Sequence, residues 1–90
     1  MSVEINIPQF LQPITDEVKV VDANGGTVGD CLNDLIKRFP RLEAKLFGQS
    51  GKLQSYLSVY VNGESAYPDE LARKVTNGDE LHIINIIAGG

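Results

Sequence analysis

One apolar stripe constrains this chain more than any other feature. Val28, Cys31, Leu32, Leu35, Ile36 and Phe39 recur at steps of three and four, the spacing that places side chains on one face of an α-helix. Thr27 stands at the N-cap position, and Asp30 puts negative charge in the first turn, where free N–H groups favour it. Pro40 disfavours helical geometry at the residue before it, so the helix ends near Phe39. An amphipathic helix has to lay its apolar face on another layer, and the rest of the sequence reads as a sheet.

Val3, Ile5 and Ile7 alternate with Ser2, Glu4 and Asn6, the period of a strand with one buried face. Pro8 and Pro13 bracket a loop that returns through Thr15-Asp16-Glu17. Val18 to Val21 then read as a short antiparallel partner. Asn24-Gly25-Gly26 is a turn into the helix. After the helix, Pro40 opens a further helical turn with Leu42, Leu46 and Phe47 apolar and Gly48 as terminator. Residues 49–54 are a polar loop. Leu57, Val59 and Val61 alternate as a third strand, Asn62-Gly63 signals a tight turn, and Ser65 to Tyr67 pair weakly beyond it. Pro68 to Val75 reads as one or two turns of helix, and Leu81 to Ile87 is the last strand.

The first and last strands are the richest in aliphatics, which suits adjacent, parallel, central positions with the helix across one face. The fold class expected is therefore α+β: a β-grasp with a mixed four- to five-stranded sheet packed on one main helix. It occupies residues 1–87 and leaves 88–90 as a flexible Ala-Gly-Gly tail.

Ninety residues hold one small domain. The net charge of −4 gives no broad positive field for a phosphate backbone, so nucleic acid is not an expected partner. The longest strongly apolar stretch, Ile83 to Ala88, is far short of the ~20 residues a membrane helix needs, so no membrane partner is expected. The N-terminus shows no signal peptide, and a single cysteine makes no internal disulfide. A reducing, cytoplasmic setting is the expectation.

The usual catalytic patterns are missing. Cys31 lies on the buried stripe and reads as a core residue, because a reactive thiol needs exposure and positive neighbours. His82 reads as an outward polar residue of the last strand. One Cys and one His cannot make a four-ligand zinc site, and no metal is expected. The acidic pairs Asp16-Glu17, Asp69-Glu70 and Asp79-Glu80 sit at turns and read as solvated charge. The unusual feature is the ending Ile87-Ala88-Gly89-Gly90, since two glycines there arise by chance about once in 200. Two residues without Cβ make a thin rod that enters a narrow channel. Their carboxylate is ionised at neutral pH, with a reference pKa of about 3.5. It is a poor acyl electrophile until an ATP-derived adenylate activates it.

Nearly end to end, the chain resembles the ThiS/MoaD family of ubiquitin-like sulfur carriers. The likeness is carried by Ile7-Pro8, Gly26-Thr27-Val28-Gly29, Phe39-Pro40, Gly51-Lys52-Leu53, Val59-Tyr60-Val61-Asn62-Gly63, Asn77-Gly78-Asp79-Glu80-Leu81 and Ala88-Gly89-Gly90. The subgroup it most resembles is the carrier of the O-phosphoserine route to cysteine. Leu81-His82-Ile83-Ile84 also stands at the same distance from the Gly-Gly end as ubiquitin's last strand. Asn85 departs from the proline that many members carry.

The resemblance implies that the protein is a cosubstrate with no catalytic residue of its own. An E1-like adenylyltransferase activates the Gly90 carboxylate with ATP, a persulfide donor converts it to a thiocarboxylate, and a sulfur-accepting synthase takes the sulfur. No cofactor is bound by the carrier; a PLP, molybdopterin or metal group belongs to its partners. If Leu57, Val59, Val61, Leu81 and Ile83 face the helix, then Tyr60, His82, Ile84 and Ile86 face away. They form an apolar docking patch beside Ala88, Gly89 and Gly90. The competing readings are the small subunit of molybdopterin synthase, a ubiquitin-like modifier conjugated through Gly90, and a plain interaction domain with an incidental diglycine end.

Overall fold

A computed structural model describes residues 2–48 and 51–86. Five strands make one sheet: β1 (Val3–Asn6), β2 (Val20–Ala23), β3 (Leu57–Val61), β4 (Glu64–Ser65) and β5 (Glu80–Asn85). They lie in the order β2-β1-β5-β3-β4. The outermost segments of the sequence meet at the centre, where β1 and β5 run parallel with Ile5 opposite Leu81. Every other pairing is antiparallel. The sheet is thus mixed, as a β-grasp requires.

Helix α1 (Val28–Arg38) covers one face. Thr27 caps it, its Oγ1 accepting from the Asp30 N–H at 3.1 Å, and Lys37 and Arg38 stand in the last turn, where the carbonyl end favours cations. Val28, Cys31, Leu32 and Leu35 are fully buried against Ile5, Val59 and Leu81 of the sheet. Gly25 is required just before the helix, because a Cβ there would lie 2.7 Å from Asp30 Cβ and 2.8 Å from the Cys31 nitrogen. Past the helix, a 3₁₀ turn at Pro40–Leu42 runs into α2 (Glu43–Leu46), and Leu42 and Leu46 complete the core.

The structure moves several boundaries. The second strand is Val20–Ala23 and not Val18 to Val21, because Val21 and Ala23 pair with Ile5 and Val3 and turn inward. Val18 is left exposed. The loop between the two prolines contains a 3₁₀ turn at Gln9–Leu11. Beyond it Thr15 is fully buried, its hydroxyl donating to the Val18 carbonyl at 2.9 Å. The weak pairing after the Asn62-Gly63 turn involves Glu64 and Ser65, while Tyr67 stands 75% exposed. Both turn residues have positive φ, 51° and 85°, the geometry that a two-residue hairpin connection needs. Only Glu70–Ala72, a 3₁₀ turn, is helical in the expected helix from Pro68 to Val75. The chain extends after it because residues 73–75 pair with the approach to α1: Val28 N–H donates to the Arg73 carbonyl and Val75 N–H to the Gly26 carbonyl. The expected boundary between domain and tail at 87/88 lies outside the described residues.

Candidate functional site

Helix α1 covers one side of the sheet, and the side chains of alternate strand positions stand on the other. On β5, Leu81 and Ile83 are buried while His82 is half-buried and Ile84 is 38% exposed. On β3, Leu57, Val59 and Val61 point into the core and Tyr60 points away. Tyr60 lies directly opposite His82, and Ser58 opposite Ile84. The expected grouping of Tyr60, His82 and Ile84 on one face therefore holds geometrically. Ile86 follows the end of β5, is 55% exposed, and is anchored by its N–H to the Tyr56 carbonyl at 2.9 Å.

Cross-strand register extends this face into rows. Val20, Asn6, His82, Tyr60 and Ser65 stand side by side across all five strands. His82 Nε2 lies 3.4 Å from Asn6 Nδ2 and 3.7 Å from Glu80 Oε1. An amide and a carboxylate at these distances suit an outward polar residue of the open sheet face. One row toward the start of β5, Asp22, Glu4 and Glu80 stand side by side. Reading the strands singly misses this row, because its members are distant in sequence. The alternation of each strand would have placed every one of them outward.

Beside Ile86, at the margin of the sheet, a groove of about 680 Å³ opens between β3 and the segment leading to the 3₁₀ turn at Glu70–Ala72. Leu53, Leu57, Ser58, Tyr67, Pro68 and Ile86 contribute to its wall. It is shallow and mainly apolar, with Lys52, Asp69 and Glu70 also in its lining. Among the described residues, no group of three or more His, Cys, Asp or Glu is placed to hold a metal ion.

Cys31 is buried and its thiol is pushed up to about 11, first by burial and then by the negative charge of Asp30 and Asp34. It stays protonated and serves packing. Asp79 is held below the usual carboxylate range, chiefly because it accepts the Thr76 backbone N–H at 2.8 Å and then Asn62 Nδ2 at 3.0 Å. Asn62 Oδ1 in turn accepts the Glu80 N–H at 2.9 Å, so this carboxylate ties the β3–β4 turn to the start of β5. Its role is structural. The expected reactive end, Ala88, Gly89 and Gly90, lies outside the described residues. Ile86, the last described residue, adjoins the apolar end of the outer face.

Comparison with known proteins now bears on this geometry. The ThiS family model matches residues 5–90. The sulfur carrier protein CysO of Mycobacterium tuberculosis is 34% identical over 93 residues, covering 100% of both chains. Small archaeal modifier protein 1 of Haloferax volcanii is 39% identical over 71 residues, 78% of each chain. In the crystal structure of the Amycolatopsis orientalis BexX/CysO complex, one chain superposes with a TM-score of 0.88 at 35% identity, covering 98% of this chain and 99% of that one.

Proposed function

The chain belongs to the ThiS family, and on that premise we propose that it is a sulfur carrier protein whose reactive group is the Gly90 carboxylate. The observation that carries this reading is the full-length match to sulfur carrier proteins. The structure adds support from what it holds. The sole thiol is buried and pushed up to about 11, and the sole histidine lies beside Asn6 and Glu80 on the open sheet face. On this reading the scaffold offers surface and stability, and the chemistry falls to the terminal acyl group.

In the proposed cycle, a carboxylate oxygen of Gly90 attacks the α-phosphate of ATP on an E1-like adenylyltransferase and pyrophosphate leaves. The acyl adenylate is then open to a sulfur nucleophile, and AMP departs as the C–S bond forms. With a persulfide donor the product is an acyl disulfide, which a second thiol cleaves to the thiocarboxylate. A synthase takes that sulfur for cysteine or a sulfur-containing cofactor. The carrier binds no cofactor of its own, and the ATP belongs to the activating enzyme's site. Tyr60, His82, Ile84 and Ile86 form the docking patch. Apolar side chains left on an open sheet face next to the departing tail are what a partner with a narrow tail channel needs to grip.

The test is ATP–pyrophosphate exchange by the adenylating enzyme of the same organism, with the intact chain and with one lacking Gly90. Exchange that depends on the carrier and disappears on deletion supports the reading. Equal exchange with both, or none with either, refutes it. The likeness to an archaeal modifier protein favours one second reading, conjugation of Gly90 to lysines of other proteins. Isopeptide-linked species of higher mass in cell extracts would distinguish it.

A further inference from the structure

We propose that the outer sheet face is a two-part docking surface, in which the row Asp22–Glu4–Glu80 receives a lysine- or arginine-rich strip of the adenylating partner and so fixes the direction in which the tail points. This rests on the sulfur-carrier reading and adds the chemistry of the partner to it.

The strand register supplies the first argument. Glu4 of β1 lies directly opposite Asp22 on β2 and directly opposite Glu80 on β5. Each follows the outward parity of its strand, next to buried Val3, Val21 and Leu81. Like charges directly opposite across strands are destabilising, so this arrangement works against the fold. The outward strand positions Glu4, Asn6, Val20, Asp22, Ser58, Tyr60, Ser65, Glu80, His82 and Ile84 include no lysine or arginine to offset it. The Glu80 carboxylate comes within 3.7 Å of His82 Nε2, and among the described residues no lysine or arginine is ion-paired with it. Arg38 reaches this end of the sheet, but its guanidinium is engaged by Asp34 Oδ2 at 3.2 Å and by the backbone carbonyl of Asp22.

The second argument is the polarity of the face. The charged row stands at the start of β5 and the apolar side chains Ile84 and Ile86 at its end. A partner that buries both parts has to be basic at one end and apolar at the other, so it can lie along β5 in only one direction. From Glu80 to Ile86 is six residues, or about 20 Å of strand. The four residues beyond can reach a further ~14 Å at most. The partner's cationic strip therefore lies within about 35 Å of the nucleotide it uses, on the side away from the tail channel.

The experiment neutralises the row with Asp22→Asn, Glu4→Gln and Glu80→Gln together, which keeps size and hydrogen-bonding capacity. Association with the adenylating enzyme is measured by stopped flow at low and raised salt, alongside the thermal midpoint of the carrier. The proposal expects the association rate to fall about tenfold at low salt and its salt dependence to flatten. It also expects the midpoint at low salt to rise by about 2–4 °C as the repulsion is relieved. Wild-type association kinetics in the triple variant, with the wild-type salt slope, overturn the proposal while leaving the sulfur-carrier reading intact. A lowered midpoint overturns the repulsion it is built on. A wild-type chain that the enzyme fails to adenylate overturns the underlying function instead.

Discussion

Replacing Ile84 and Ile86 together by alanine isolates the apolar half of the docking face. Full burial of an isoleucine side chain is worth about 1.5–3 kcal/mol relative to full exposure. Ile84 is 38% exposed and Ile86 55%, so covering what remains visible yields about 1.4–2.8 kcal/mol for the pair. Alanine retains one of the four side-chain carbons, which leaves a loss of about 1–2 kcal/mol, or roughly 5- to 30-fold in affinity. The contacts do not involve the reacting carboxylate and are the same in ground and transition states. The loss should therefore appear in the KM for the carrier, with kcat unchanged. ATP–pyrophosphate exchange at varied carrier concentration measures both constants. The covered part of Ile84 also packs within the fold, so the double variant should lose about 1 kcal/mol of stability and has to be assayed well below its thermal midpoint. Lys37→Ala, exposed on α1 in the opposite layer, serves as the control and should match the wild type. A KM for the folded double variant within twofold of wild type refutes the docking face.

Two further predictions concern the scaffold. Thr27→Ala removes the acceptor for the Asp30 N–H and should lower stability by about 1 kcal/mol, read as a smaller urea midpoint at constant slope, with Thr27→Ser restoring most of it. Asp79 has its folded-state pKa depressed by the Thr76 N–H and Asn62. Its contribution is therefore fully present above the unfolded value of about 3.9 and is lost as pH falls through the lower folded value. Asp79→Asn should flatten the acid limb of the stability curve below about pH 4 and leave its shape near neutrality unchanged; an unaltered acid limb contradicts the assignment.

Some features of the fold are legible in the sequence because a local period or a local turn decides them. The stripe from Val28 to Leu35 and the Thr27 cap define α1, and Asn62-Gly63 defines the turn after β3. Alternation on β3 and β5 is enough to sort Tyr60, His82 and Ile84 from Val59, Leu81 and Ile83. Other features depend on partners far along the chain. Val18 to Val21 is the more apolar window, yet the strand forms at Val20–Ala23, because burial is settled by pairing with Val3 and Ile5. Residues 73–75 extend because the backbone around Gly26 and Val28 takes up their hydrogen bonds. The same reason hides the row Asp22–Glu4–Glu80: its charges become neighbours only when the first and last strands meet. The groove beside Ile86 likewise needs the segment at Tyr67 and Pro68 to be brought against β3.

The central claim, that the scaffold carries its chemistry on Gly90, is tested most directly by the intact mass of the chain after incubation with ATP, its adenylating enzyme and a persulfide donor. A thiocarboxylate exchanges one oxygen for sulfur and should appear as a gain of about 16 Da that fragmentation localises to the last residue and that requires ATP. An unchanged mass, while the enzyme turns over a related carrier under the same conditions, contradicts the account.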